Sequence, residues 1–247
     1  GNHDYGGYYF NAAWDQQIAY TWGPSGRWVL PGLYYHQHVA YPAKKFTVDY
    51  YVLDTNVGNV QSPDKDIHHN PCNAWRNPTS DCSPFGPKDA EHCVHWFRKL
   101  WKDQVDWLSR KLDRSTADWQ IIMTHFPPET CISYPQLVHD LKSIGERFGV
   151  DLIVSGHRHV QAIFESGRNS FTETAGIPYV VSGGGGGITS DYPPGPSNPS
   201  SGEDMYGFMD MTLRKTEITI EAFNQAGASR GKMTVRPKSP RLDPIVA

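Results

Sequence analysis

Two short segments of the chain are almost wholly apolar and both run into histidine. They are Trp119-Gln-Ile-Ile-Met-Thr-His125 and Val150-Asp-Leu-Ile-Val-Ser-Gly-His157. Runs of this length, too short for helices of their own, match strands buried on both faces, and such strands belong to parallel sheets covered by helices. A third run, Ile177-Pro-Tyr-Val-Val-Ser182, leads into five glycines, Gly183 to Gly187. Phe46 to Asp54 is rich in β-branched and aromatic residues and reads as another strand. Between these lie helical patterns. Glu91 to Leu112 carries apolar residues at Val94, Phe97, Leu100, Trp101, Val105, Leu108 and Leu112, a spacing of three and four. Tyr134 to Arg147 predicts a second helix, stopped by Gly149. Near the end, Gly207 to Arg214 and Glu217 to Asn224 alternate as a hairpin does. Strands alternating with helices, then a terminal hairpin, predict an α/β layered domain with mixed sheets. The domain is expected over residues 1–236, with 237–247 as an extended tail.

Composition narrows the function classes. The 247 residues carry 23 Lys+Arg against 26 Asp+Glu, a net charge of -3, so no basic field attracts nucleic acid. No stretch approaches the roughly 20 apolar residues that span a bilayer. The cysteines are Cys72, Cys82, Cys93 and Cys131, without CxxC spacing. Three of them sit in or beside a Pro-, Asn- and Asp-rich insert, Ser62 to Lys88. An even number in a loop predicts two disulfides in an oxidising compartment, with three pairings open. Pocket rims are expected on irregular segments such as Gly23 to His38 and Asp191 to Gly202.

The chemistry is expected where strands end, since ligands in open α/β sheets bind beyond the carboxyl ends of strands. Three segments stand out: Gly1-Asn2-His3-Asp4, Thr124-His125-Phe126-Pro127-Pro128 and Gly156-His157-Arg158-His159. Imidazole nitrogens suit Zn, Fe, Mn or Ni, and an Asn carbonyl oxygen suits harder cations. This donor mixture fits a hydrolytic metal centre better than a structural thiolate site. No role follows for His36, His38, His68, His69, His92 or His139. The glycine run lacks a following GK[ST], so close backbone approach explains it better than a phosphate loop.

Gly-Asn-His-Asp, Thr-His-Phe-Pro-Pro and Gly-His-Arg-His, in that order, resemble the latter part of the calcineurin-like metallophosphoesterases. The match is closer still to the small tartrate-resistant purple acid phosphatases, supported by Gln17-Ile18-Ala19-Tyr20, Leu53-Asp54-Thr55, Trp107-Leu108 and Val181-Ser182-Gly183. The resemblance covers roughly Gly1 to Asn224. It implies a four-layer α/β sandwich with two mixed sheets and two divalent or trivalent metal ions, Fe with Fe, Zn or Mn. It assigns Asn2, His125 and His157 to one metal and His159 to the other. His3 becomes the residue that contacts the phosphate and protonates the leaving alcohol, with Asp4 as its orienter. The substrate implied is a phosphorylated small molecule or phosphoprotein, and the setting secreted, extracellular or lumenal.

One departure matters. The family supplies its first metal's aspartate and its bridging aspartate from Gly-Asp motifs ahead of Gly-Asn-His, and the sequence holds no Gly-Asp pair. The tyrosine that colours the iron enzymes is absent with them. The expectation is a fold incomplete at its N-terminus. Three accounts are open: a longer protein, a cleaved precursor whose front part is a partner chain, or an inactive scaffold or interaction subunit of a larger assembly.

Overall fold

The computed structural model describes residues 1–10, 14–24, 26–79, 81–131, 133–167, 169–185 and 206–238. Its centre is a six-stranded sheet in the order β1-β2-β3-β4-β6-β5. The strands are β1 (Tyr35–Tyr41), β2 (Phe46–Val52), β3 (Trp119–Met123), β4 (Leu152–Ser155), β5 (Gln161–Phe164) and β6 (Tyr179–Ser182). Strands β2, β3, β4 and β6 run parallel, while β1 and β5 add antiparallel edges. The predicted apolar runs are therefore the central strands. A second sheet of β7 (Gly207–Leu213), β8 (Ile218–Asn224) and β9 (Ser229–Val235) is antiparallel throughout. The α/β sandwich of two sheets is present, and the mixing of strand directions belongs to the larger sheet.

Side chains of the parallel strands alternate between two cores, as the period of two requires. Tyr51, Ile122, Ile153, Tyr179 and Val181 face one core, shared with the helices. Val48, Ile121, Leu152 and Val180 face the other, where Ile218, Ile220, Met233 and Val235 of the second sheet meet them. The described residues thus stack helices, sheet and sheet in order.

The helices are α1 (Gln16–Thr21), α2 (Ala90–Asp113), α3 (Pro135–Phe148) and α4 (Ser170–Ala175). In α2 the buried stripe runs through Cys93, Phe97, Trp101, Gln104, Leu108 and Leu112. Val94, Leu100 and Val105, part of the same apolar spacing, lie half-buried along its flank. Asp89 caps the helix, its carboxylate accepting from the His92 amide at 2.6 Å. α3 buries Leu137, Leu141 and Ile144, each contributing about 1.5–3 kcal/mol. It ends as expected at Gly149, whose φ of 66° is the left-handed cap that glycine adopts without steric cost.

Two sequence expectations change. One disulfide forms among the described cysteines rather than two, Cys72–Cys93, joining the insert to α2. Cys82 and Cys131 are thiols, with Sγ directed to the carbonyls of Phe10 and Pro127. The segment Gly23 to His38 is not irregular throughout, because its end enters edge strand β1. The loop Asp191 to Gly202, the glycines Gly186 and Gly187, and most of the tail lie outside the described residues.

Candidate functional site

The parallel strands deliver their following loops to one edge. Leu53-Asp54-Thr55 follows β2, Thr124-His125 follows β3, Gly156-His157 follows β4 and Gly183 follows β6. Backbone bonds lock these loops to one another. Thr124 N donates to Val154 O at 2.9 Å, and Gly156 N donates to His125 O at 3.0 Å. Phe126 N donates to Thr55 Oγ1 at 3.0 Å. Asp54 is buried, accepting from Tyr5 Oη at 2.7 Å and tied through its backbone to Gln104 of α2. Burial, ahead of these bonds, raises its pKa. Leu53-Asp54-Thr55 therefore braces the histidine loops from behind.

Gly183 shows why glycine follows β6. A Cβ there would stand 1.8 Å from the Arg158 carbonyl oxygen, an impossible contact. The close backbone approach expected of the glycine run holds at this position.

At this edge a cavity of about 590 Å³ is lined by Asn2, His3, His125, His157 and His159. Five of the six predicted site residues thus share one cavity. His125 Nε2 lies 2.7 Å from Asn2 Oδ1. The His125 and His157 rings stand 5.1 Å apart, with Phe126 packed 4.1 Å from His157. Asn2 is buried, and its amide nitrogen donates to the Tyr8 hydroxyl, which turns Oδ1 toward His125. His157 holds φ of 64°, a left-handed conformation that costs a non-glycine residue about 1–3 kcal/mol and clusters at functional sites.

Asp4 stands apart. Its carboxylate accepts from the Gly1 backbone nitrogen, closing the short helical turn on which His3 sits, and it lines a neighbouring cavity with Tyr5 and Asp54.

Sequence reasoning missed part of the lining. Tyr8, His68, His69 and Arg76 also face the larger cavity. The last three come from the insert, 70 residues along the chain, and carry no local motif. Their proximity is created by tertiary folding alone.

The donors suit a metal in part. Burial first, with the neighbouring histidines adding to it, holds the His125 pKa well below the ordinary imidazole value. Its ring is neutral at working pH, as a ligand must be. Two donors on adjacent corners of one ion, each about 2.1 Å from it, stand about 3 Å apart, and His125 and Asn2 are near that separation. No carboxylate lines the cavity among the described residues, and no three His, Cys, Asp or Glu side chains there group tightly enough to hold an ion. The residues fit an imidazole and amide half-set that needs an anionic complement.

The model of the calcineurin-like phosphoesterase family matches residues 1–161. The chain belongs to that family. Among curated relatives it is 24% identical over 257 residues to mouse tartrate-resistant acid phosphatase type 5, covering 98% of this chain and 66% of that protein. The human protein of the same name is 26% identical over 188 residues, covering 75% of this chain and 47% of its own length. In structure this phosphoesterase chain resembles GAP50, the anchor in the inner membrane complex of Plasmodium, with a TM-score of 0.55 and 17% identity. That match covers 90% of this chain and 61% of GAP50. At that identity the likeness shows the fold. The chain spans about two thirds or less of the length of these proteins. None of the described helices is long and apolar enough to cross a membrane.

Proposed function

We propose that the protein containing this chain is an acid phosphatase-like hydrolase that cleaves phosphate monoesters of small molecules or phosphoproteins at a two-metal centre. The observation carrying this reading is the convergence of Asn2, His3, His125, His157 and His159 on one cavity at the carboxyl edge of the parallel strands. Acid phosphatase relatives support it, as does the neutral imidazole of His125. Asn2, His125 and His157 would hold one ion and His159 the other, with Fe and Fe, Zn or Mn the pairs that the resemblance implies. Bound cations would acidify a water, neutralise phosphoryl oxygens and steady the leaving group.

The chain's own residues do the rest. The Asn2 carbonyl is held in its donor orientation by Tyr8. His3, exposed at the mouth beside the Tyr8 ring at 5.1 Å, gives its proton to the departing alkoxide oxygen. Asp4 supports His3 through the turn it closes. The Cys72–Cys93 disulfide is compatible with a secreted, extracellular or lumenal setting, which belongs to the same proposal.

His125→Ala in the full-length protein tests the assignment. The expected result is loss of activity on p-nitrophenyl phosphate together with a reduced metal content. Full activity at unchanged metal content would refute it.

A further inference from the structure

The insert between β2 and α2 places a guanidinium and two imidazoles against the cavity of the proposed catalytic centre, and nothing in the proposed chemistry uses them. Arg76 is half-buried. Its Nε donates to the Ile67 carbonyl, and its guanidinium carbon lies 5.7 Å from the Tyr8 ring and 5.2 Å from the Tyr9 ring. Both distances fall within the range of a cation–π contact, so the group is held in place before anything binds. No carboxylate among the described residues pairs with it. A positive charge fixed beside a reaction cavity, and left without an acidic partner, is available to an anion.

The loop that carries it is rigid for identifiable reasons. The Asp66 carboxylate accepts from the His68 and His69 amides at 3.2 and 3.0 Å, and Asn59 Nδ2 donates to the His69 carbonyl at 2.7 Å. Buried Asn70 donates to three loop carbonyls, and Cys72 anchors the segment to α2. Tyr8 links the two groups of residues. Its hydroxyl contacts Asn2, one of the proposed metal donors, while its ring lies under Arg76. The guanidinium therefore sits one aromatic ring away from Asn2, one of the proposed metal donors.

We infer that Arg76, with His68 and His69 lining the same cavity, binds a second phosphate of the substrate, His69 meeting it with the ring nitrogen turned away from Asp66, whose carboxylate stands 3.3 Å from its Nδ1, so that the preferred substrates are diphosphates rather than simple monoesters. This rests on the phosphoesterase reading above. A tetrahedral phosphate offers several oxygens at once to a fork of N–H donors flanked by imidazoles. A substrate whose other half is neutral leaves those donors unused.

The test has a binding arm and a kinetic arm in the full-length protein. By calorimetry, methylenediphosphonate should bind at least tenfold more tightly than methylphosphonate, and Arg76→Gln should bring the two to near equality. Arg76→Gln keeps the stem and a hydrogen-bond donor; Arg76→Lys, which keeps the charge but not the fork, should give an intermediate ratio. In kinetics, Arg76→Gln should lower kcat/KM for inorganic pyrophosphate about 10- to 100-fold, mostly through KM, and change p-nitrophenyl phosphate less than threefold. Equal losses on both substrates, or an unchanged binding ratio, would overturn the inference. If the wild-type protein hydrolyses neither substrate, the phosphoesterase reading fails, and the binding arm still decides the role of Arg76.

Discussion

The direction in which Asn2 points is set by Tyr8. An amide offers donor and acceptor almost interchangeably, and only its neighbours decide which end faces a ligand. Here the nitrogen is taken by the Tyr8 hydroxyl and the oxygen faces His125 at 2.7 Å. Ligand orientation by such outer contacts typically accounts for 10–100-fold in metal affinity. Tyr8→Phe keeps the ring under Arg76 and removes only the hydroxyl. The expected outcome is about a 10- to 100-fold weaker metal affinity, read by metal titration of the full-length protein, at unchanged thermal stability to within a few degrees. His125 shows the matching constraint from behind: a Cβ on Gly1 would stand 2.7 Å from its Nδ1, so the first glycine of the motif leaves room for the ring.

Among the elements, the edge strand β1 is tied to the sheet by one buried acid. Asp49 on β2 lies directly opposite His38. It meets His38 Nδ1 at 2.7 Å, His36 Nε2 at 2.8 Å, Ser115 Oγ at 2.6 Å and Tyr51 Oη at 3.2 Å, while Arg110, Lys111 and Arg114 rim the adjoining cavity. Burial alone would raise its pKa. The bonds from Ser115, His38 and His36 outweigh that and hold it below the ordinary carboxylate value. The sign follows: an acid with a depressed folded-state pKa stabilises above its unfolded pKa of about 3.9, and that contribution is lost as pH falls through the folded value. Asp49→Asn should cost about 1–3 kcal/mol at pH 7 by denaturant unfolding. The gap to wild type should hold down to about pH 5 and narrow below about pH 4.

This element also shows where sequence reading stopped. β3, β4 and β6 were legible because burial on both faces demands continuous apolar residues. β1 is an edge, half exposed, and its Tyr-His-Gln-His-Val-Ala-Tyr carries no such pattern. Four-residue β5 is too short to show a period, and α4 is a single capped turn and a half. The site divided in the same way. Residues in strand-end motifs could be named from sequence, whereas His68, His69 and Arg76 reach the cavity through a folded insert that periodicity does not describe. Cysteine counting found the oxidised pair's neighbourhood and overstated the number of bridges, because spacing does not show that Cys82 and Cys131 point to different backbone carbonyls, those of Phe10 and Pro127.

At the scale of the molecule, the sheet edge gathers one half of a metal-binding set. Imidazole and amide donors come from Gly-Asn-His-Asp and the loops after β3 and β4, and carboxylates are absent from the cavity lining among the described residues. The chain spans 66% of its mouse relative, so the account of function concerns the full-length protein. It makes a claim that metal content and catalysis can decide together. Metal analysis and phosphomonoesterase assay of the purified full-length protein between about pH 5 and 7 form that measurement. The account predicts about two metal ions per chain and hydrolysis of p-nitrophenyl phosphate that disappears when the metal is removed. Less than about one metal per chain with no hydrolysis would contradict it, and would leave the fold serving as a scaffold or interaction subunit.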